Sequence, residues 1–165
     1  MIGHTVKELL LEKQDTFIVP ADNVANLMYE HPLDHALLVL SKVGYSKIPV
    51  LDKEDHFVGL IGLNDIVGKM IDLTKIDTDN LSGMTVADVM EVGVTCVTEN
   101  SPLEDILHLL VDNSFLPIVD SEKRFVGIIT RKELLKSVNH LVHELERRYD
   151  LLEKHTNESE GLKVI

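Results

Sequence analysis

Two stretches decide the fold: Ile48-Pro49-Val50-Leu51-Asp52 followed by Phe57-Val58-Gly59-Leu60-Ile61-Gly62, and Leu116-Pro117-Ile118-Val119-Asp120 followed by Phe125-Val126-Gly127-Ile128-Ile129-Thr130. They lie 68 residues apart, an offset that carries Pro49 onto Pro117, Asp52 onto Asp120, Glu54 onto Glu122 and Gly59 onto Gly127. Upstream the offset becomes 70, pairing Pro32-Leu33-Asp34 with Pro102-Leu103-Glu104 and Val24 with Val94. Farther back, Thr5-Val6-Lys7-Glu8-Leu9-Leu10 has the pattern of Thr85-Val86-Ala87-Asp88-Val89-Met90. Three blocks recurring in the same order mark an internal duplication.

Each copy reads alike. A short strand (24–28; 94–98) stops before a proline, and Pro32 and Pro102 suit a helix's first turn, where a missing N–H costs nothing. The helices carry Leu33, Ala36, Leu37 and Leu40, and Leu103, Ile106, Leu107 and Leu110, at the i, i+3, i+4, i+7 spacing of an amphipathic face. Two apolar strands follow (48–51 and 57–61; 116–119 and 125–129), joined by polar links of hairpin length. A last helix begins near Asn64 or Lys132. The expected fold is therefore α/β (α+β), β-α-β-β-α twice, with strands covered by helices.

The expected layout is motif one with an N-terminal helix over 1–70, a linker over 71–84, motif two over 85–136, a helical extension over 137–154 and a disordered tail over 155–165. The last helix carries Leu134, Val138, Leu141, Val142, Leu145, Tyr149 and Leu152 on one stripe. That stripe is either a dimer or partner surface or a seat for the N-terminal helix; its pattern fits both.

Bulk composition narrows the function. The chain has 165 residues, of which 44% are hydrophobic and only 4% aromatic, so its core is aliphatic. A net charge of −12 repels polyanions and argues against nucleic-acid or anionic-membrane partners, while allowing a small phosphate ligand wherever a few cations gather. Cys96 is the sole cysteine, which excludes an intrachain disulfide and a cysteine-built zinc site; it reads as a packed thiol. No signal peptide is recognisable at the N-terminus, and the apolar run over 36–40 is far short of the ~20 residues of a membrane span. The chain reads as cytoplasmic.

Catalytic signatures are missing: there is no nucleophile elbow, phosphate-gripping Gly-rich loop, HExxH or paired catalytic carboxylates. No enzyme activity and no metal are expected. His31 and His35, or His140 and His143 with Glu144, find no converging partner in sequence. Asp52 and Asp120 follow strands, where Asp forms turns. Thr130-x-x-Glu133 matches a capping box, Asp65 suits a helix start, and Gly59 and Gly127 suggest close backbone approach at the sheet.

The repeated unit resembles the CBS motif, named after cystathionine β-synthase. The resemblance spans about residues 5–136 and implies a pseudo-twofold pair with clefts that take adenine nucleotides. Ala21-Asp22-Asn23-Val24-Ala25, His35-Ala36-Leu37-Leu38-Val39-Leu40 and Gly44-Tyr45-Ser46-Lys47-Ile48-Pro49-Val50-Leu51-Asp52 look like the small cyclic-di-AMP-binding CBS-pair proteins of Gram-positive bacteria, the CbpB type. That resemblance implies a homodimer whose ligand controls contact with a partner enzyme, such as a (p)ppGpp synthetase. It places Asn23, Val24 and Ala25 against adenine and ribose, Tyr45, Ser46 and Lys47 toward phosphate or base, and Arg131 and Lys132 on the phosphates. The type commonly carries Lys where Asn23 stands and Arg where Lys132 stands. In CBS pairs that bind AMP or ATP, a Ser or Thr three residues before an Asp holds ribose and phosphate; here Gly62 precedes Asp65 and Thr130 precedes Glu133, so neither copy is complete. An AMP, ADP or ATP sensor using Asp65 and Thr130, and a ligand-independent dimerisation scaffold using the 134–152 stripe, are the alternatives.

Overall fold

The computed structural model describes residues 6, 8, 10, 17–71 and 76–148. The tail and the stripe positions Tyr149 and Leu152 lie outside the described residues. In chain order the elements are β1 (Ile18–Pro20), β2 (Leu27–Met28), α1 (Leu33–Val43), β3 (Lys47–Leu51), β4 (Phe57–Gly62), α2 (Leu63–Met70), α3 (Leu103–Asp112), β5 (Phe115–Val119), β6 (Phe125–Thr130) and α4 (Arg131–Arg148). Copy one shows the expected β-α-β-β-α order. Pro32 and Pro102 occupy the N-caps of α1 and α3, and Gly44, at φ 69°, ends α1 in the left-handed conformation that glycine adopts at little cost.

The first strand of each copy is shorter than its apolar pattern predicts. Val24 donates its N–H to the Ala21 carbonyl, closing a 3-10 turn, so only Leu27 and Met28 pair, in parallel, with β3. In copy two the strand shrinks to Val97, which bridges Ile118. Side chains also turn back on these segments, Asn26 Nδ2 donating to the Val24 carbonyl and the Cys96 thiol to that of Val94, local bonds that compete with a longer ladder.

Two three-stranded sheets result, ordered β2-β3-β4 and β1-β6-β5. Their edges are exchanged. β1, which precedes copy one, lies antiparallel on β6 of copy two, with Val19 opposite Ile128. Reciprocally Glu91, which precedes copy two's helix, exchanges both backbone hydrogen bonds with Leu60 of β4, at 2.8 and 3.0 Å. The two repeated glycines permit this. A Cβ on Gly59 would lie 2.5 Å from the Glu91 carbonyl oxygen, and one on Gly127 2.3 Å from that of Val19. The close-approach reading of both glycines therefore holds.

The cores follow the exchange. Leu27, Leu33, Ile48, Val50, Ile61 and Ile66 pack with Leu81 and Val86, so the segment at 81–91 belongs physically to copy one. Phe17 packs with Ile106, Leu116, Ile118, Ile129 and Leu134 of copy two. Leu10 joins Leu103 and Leu141, flanked by Val6, Val138 and Leu145. Leu134, Val138, Leu141 and Leu145 of the α4 stripe are thus seated on residues near the N-terminus, in line with the second of the two placements its pattern allowed. Val142 of the stripe, and Leu135 beside it, remain exposed. No helix among the described residues is long and apolar enough to cross a membrane.

Candidate functional site

Facing edges of the two halves enclose a cleft of about 350 Å³, within the size range of small-molecule sites. Copy one supplies Asn23, Val24 and Ala25, which leave the 3-10 turn, and Tyr45, Ser46 and Lys47, which Gly44 turns out of α1 onto the rim. Copy two supplies Ser114, Phe115, Ile128, Thr130, Lys132 and Glu133, while β1 lays Val19 along β6. The walls carry apolar side chains: Val19, Val24, Ala25, Ile48, Pro49, Phe115 and Ile128. Around them stand an amide, hydroxyls and the Lys132 ammonium, which makes no ion pair among the described residues.

Seven of the eight leading sequence candidates therefore meet in one cavity: Asn23, Val24, Ala25, Tyr45, Ser46, Lys47 and Lys132. Arg131 does not join them. Its guanidinium caps the end of α3, donating to the carbonyls of Leu110 (2.8 Å), Val111 (3.0 Å) and Asn113 (3.0 Å), while its backbone N–H donates to Ser114. Orphan carbonyls at a helix C-terminus attract a cation, and Arg131 thereby braces the Ser114–Phe115 wall. Lys47 lines the cleft, but its ammonium is ion-paired with Glu91.

Asp65 lies outside the cleft, and its carboxylate accepts the Gly62 N–H at 2.7 Å. Thr130 lies inside, and its hydroxyl accepts the Glu133 N–H at 3.1 Å. Copy one keeps the carboxylate half of a capping box and copy two the hydroxyl half. The Glu133 carboxylate turns instead to Lys136. Sequence reasoning missed Val19, Ser114, Phe115 and Ile128. Ser114 and Phe115 were findable through the repeat, as partners of Ser46 and Lys47, whereas Val19 enters only through the strand exchange.

Asp52, Glu54 and His56 bring potential ligand atoms within 4.8 Å of one another, a grouping not singled out in the sequence. Their geometry is that of a turn. Asp52 Oδ1 accepts the N–H groups of Glu54 and His56, each at 2.9 Å, and Oδ2 meets His56 Nδ1. Asp120 repeats this with Glu122 and Arg124. At Asp52 desolvation pulls the carboxyl upward, but hydrogen bonds from the side chain and backbone of His56 and the backbone of Glu54 outweigh it and leave it below its usual value. Asp120 is lowered by the Arg124 backbone N–H first, then, against some desolvation, by the Arg124 guanidinium. Burial raises the Cys96 thiol, in keeping with an inert packed cysteine.

The paired sheets, exchanged edges and the cleft between the copies define a tandem two-motif module, and the chain belongs to the CBS domain family, whose model matches residues 17–72 and 86–140. The chain is 35% identical over 147 residues to the cyclic di-AMP receptor B of Bacillus subtilis, covering 89% of this chain and 100% of that protein. Among solved structures it resembles CbpB from Streptococcus agalactiae (TM-score 0.81, 31% identity, 93% of this chain and 96% of that one). It also resembles Listeria monocytogenes CbpB in complex with c-di-AMP (TM-score 0.74, 41% identity, 81% of this chain and 98% of that one).

Proposed function

We propose that this chain is a non-catalytic cyclic di-AMP receptor of the cytoplasm, working as a homodimer, that takes the dinucleotide in the cleft between its CBS motifs. The observation that carries the reading is the convergence of residues 23–25, 45–47 and 132 on one apolar-walled cavity. Adenine stacks against Phe115, Pro49 and the aliphatic side chains, Asn23 and Ser46 supply hydrogen bonds, and Lys132 meets a phosphate as a point charge. The likeness to a c-di-AMP-bound CbpB structure supports this choice of ligand.

Ligand control of a partner enzyme, such as a (p)ppGpp synthetase, follows if filled and empty clefts present different surfaces. Binding then favours one state by its differential affinity. The Asp65 reading as an AMP or ATP sensor has less support, because the Asp65 carboxylate is engaged at the start of α2 and stands off the cleft. The scaffold reading has less support because Leu134 and Leu141 are already covered.

Isothermal calorimetry with cyclic di-AMP, AMP, ADP and ATP tests the proposal. Micromolar or tighter binding confined to the dinucleotide is expected. Absence of cyclic di-AMP binding at tens of micromolar ligand overturns it.

A further inference from the structure

The duplication gives the positions that line the cleft counterparts across the pseudo-twofold, a twin set that differs from them in chemistry. Where the cleft has Phe115, Thr130 and Glu133, the 68-residue offset places Lys47, Gly62 and Asp65 in the twin. Strand pairing supplies the last correspondence: Val19 pairs with Ile128, and Glu91 pairs with Leu60, the counterpart of Ile128. The counterparts of the apolar Val19 and Phe115 are therefore Glu91 and Lys47, which form an ion pair. The Lys47 stem crosses Gly62 so closely that a Cβ there would lie 3.0 Å from Lys47 Cγ and 2.6 Å from the Ser46 carbonyl oxygen.

Lys47 lines the cleft while its ammonium is held by Glu91, which does not line it. Resting on the reading of the cleft as the dinucleotide site, we propose that Glu91 is a built-in competitor for the Lys47 cation. It lowers the affinity of the cleft for an anionic ligand and must be displaced before a phosphate can use that charge. The two side chains are 40% and 50% exposed, so water screens the pair and a phosphate can compete for the ammonium. Glu91 also pairs through its backbone with Leu60. Breaking the ion pair therefore leaves the sheet intact while freeing one side chain on the segment that leads into copy two.

The test is calorimetry with cyclic di-AMP at low ionic strength on the full chain. Glu91→Gln keeps the side-chain shape and removes the charge. It is expected to tighten binding by a factor of about two to five, the range open to an exposed ion pair, with the gain shrinking as salt is added. Glu91→Ala serves as a second variant should Glu91→Gln fold poorly. Lys47→Met combined with Glu91→Gln is expected to bind no more tightly than Lys47→Met alone. An affinity unchanged by Glu91→Gln and Glu91→Ala, or a gain that persists without Lys47, overturns the proposal and leaves the cleft assignment standing. A wild-type protein that binds no cyclic di-AMP removes both.

Discussion

Phe57 and Phe125 stack on each other across the seam between the two copies, with ring centroids 6.2 Å apart and planes 28° from parallel. They are the same position of the repeat, each the first residue of the second hairpin strand. Their backbones extend the symmetry: Phe57 donates its N–H to the Lys123 carbonyl and Phe125 to that of Asp55. Asp55 and Lys123 both take positive φ, 63° and 65°, which turns those two carbonyls toward the opposite copy. The seam is therefore made by the two turns, and the cleft opens where the sheets diverge from it.

This contact should be measurable as coupling. Phe57→Leu and Phe125→Leu each destabilise the chain, and the double mutant should lose less than their sum by about 0.5–1.5 kcal/mol, the excess attributable to an aromatic pair. Urea unfolding of the four proteins checks it.

The exchanged strands make the repeated glycines intolerant of a methyl group. Gly127→Ala would drive its Cβ against the Val19 carbonyl, and Gly59→Ala against that of Glu91. Backbone must move in both, at a cost of about 1–3 kcal/mol each. A lowered urea midpoint with an unchanged m-value is the expected result. Gly68→Ala, with no atom within 4 Å of the added Cβ, is the control that should be neutral or mildly stabilising.

Two adjacent cations should separate cleanly. Lys132→Ala is expected to weaken cyclic di-AMP binding about tenfold, the worth of one charged hydrogen bond, and to leave the melting temperature unchanged. Arg131→Ala uncaps α3 and is expected to lower stability by about 1–2 kcal/mol. Its loss of binding comes through movement of Ser114 and Phe115 and adds little salt dependence. Thermal melts and calorimetry at two ionic strengths distinguish the two.

Acid should destabilise the protein through its turns and caps. Asp88 is held below its usual value first by the Thr85 backbone N–H and then by the Thr85 hydroxyl, and Asp120 and Asp52 are also lowered. A carboxyl with a depressed folded-state pKa stabilises fully above its unfolded value of about 3.9, and loses that contribution as pH falls through the folded value. Melting temperature should therefore drop as pH falls below about 4. Asp120→Asn should flatten that drop while lowering stability at neutral pH.

Much of the fold was legible because it is written twice. Pro49 and Pro117, the Phe-Val-Gly triplets and the helix faces at Leu33 and Leu103 each report local geometry, and repetition removes chance from the reading. Seven of the eight leading candidates, named chiefly through resemblance to a known type of CBS pair, line the cleft. Arg131 stands next to it, with its guanidinium on the end of α3. Its direction depends on how the start of α4 meets the end of α3, which no local pattern encodes.

By itself, then, the chain's order of residues determined two copies, their helices and hairpins, an aliphatic core and a short roster of polar groups near the junction of the copies. Tertiary structure alone decided that β1 serves the sheet of copy two and Glu91 that of copy one. A three-residue strand such as Ile18–Pro20 can donate to any open sheet edge, and only the packing of Phe17 and the bare Cα of Gly127 select one. The same holds for Lys47: its charge is in the sequence, but the partner that holds it is set by where Glu91 comes to rest.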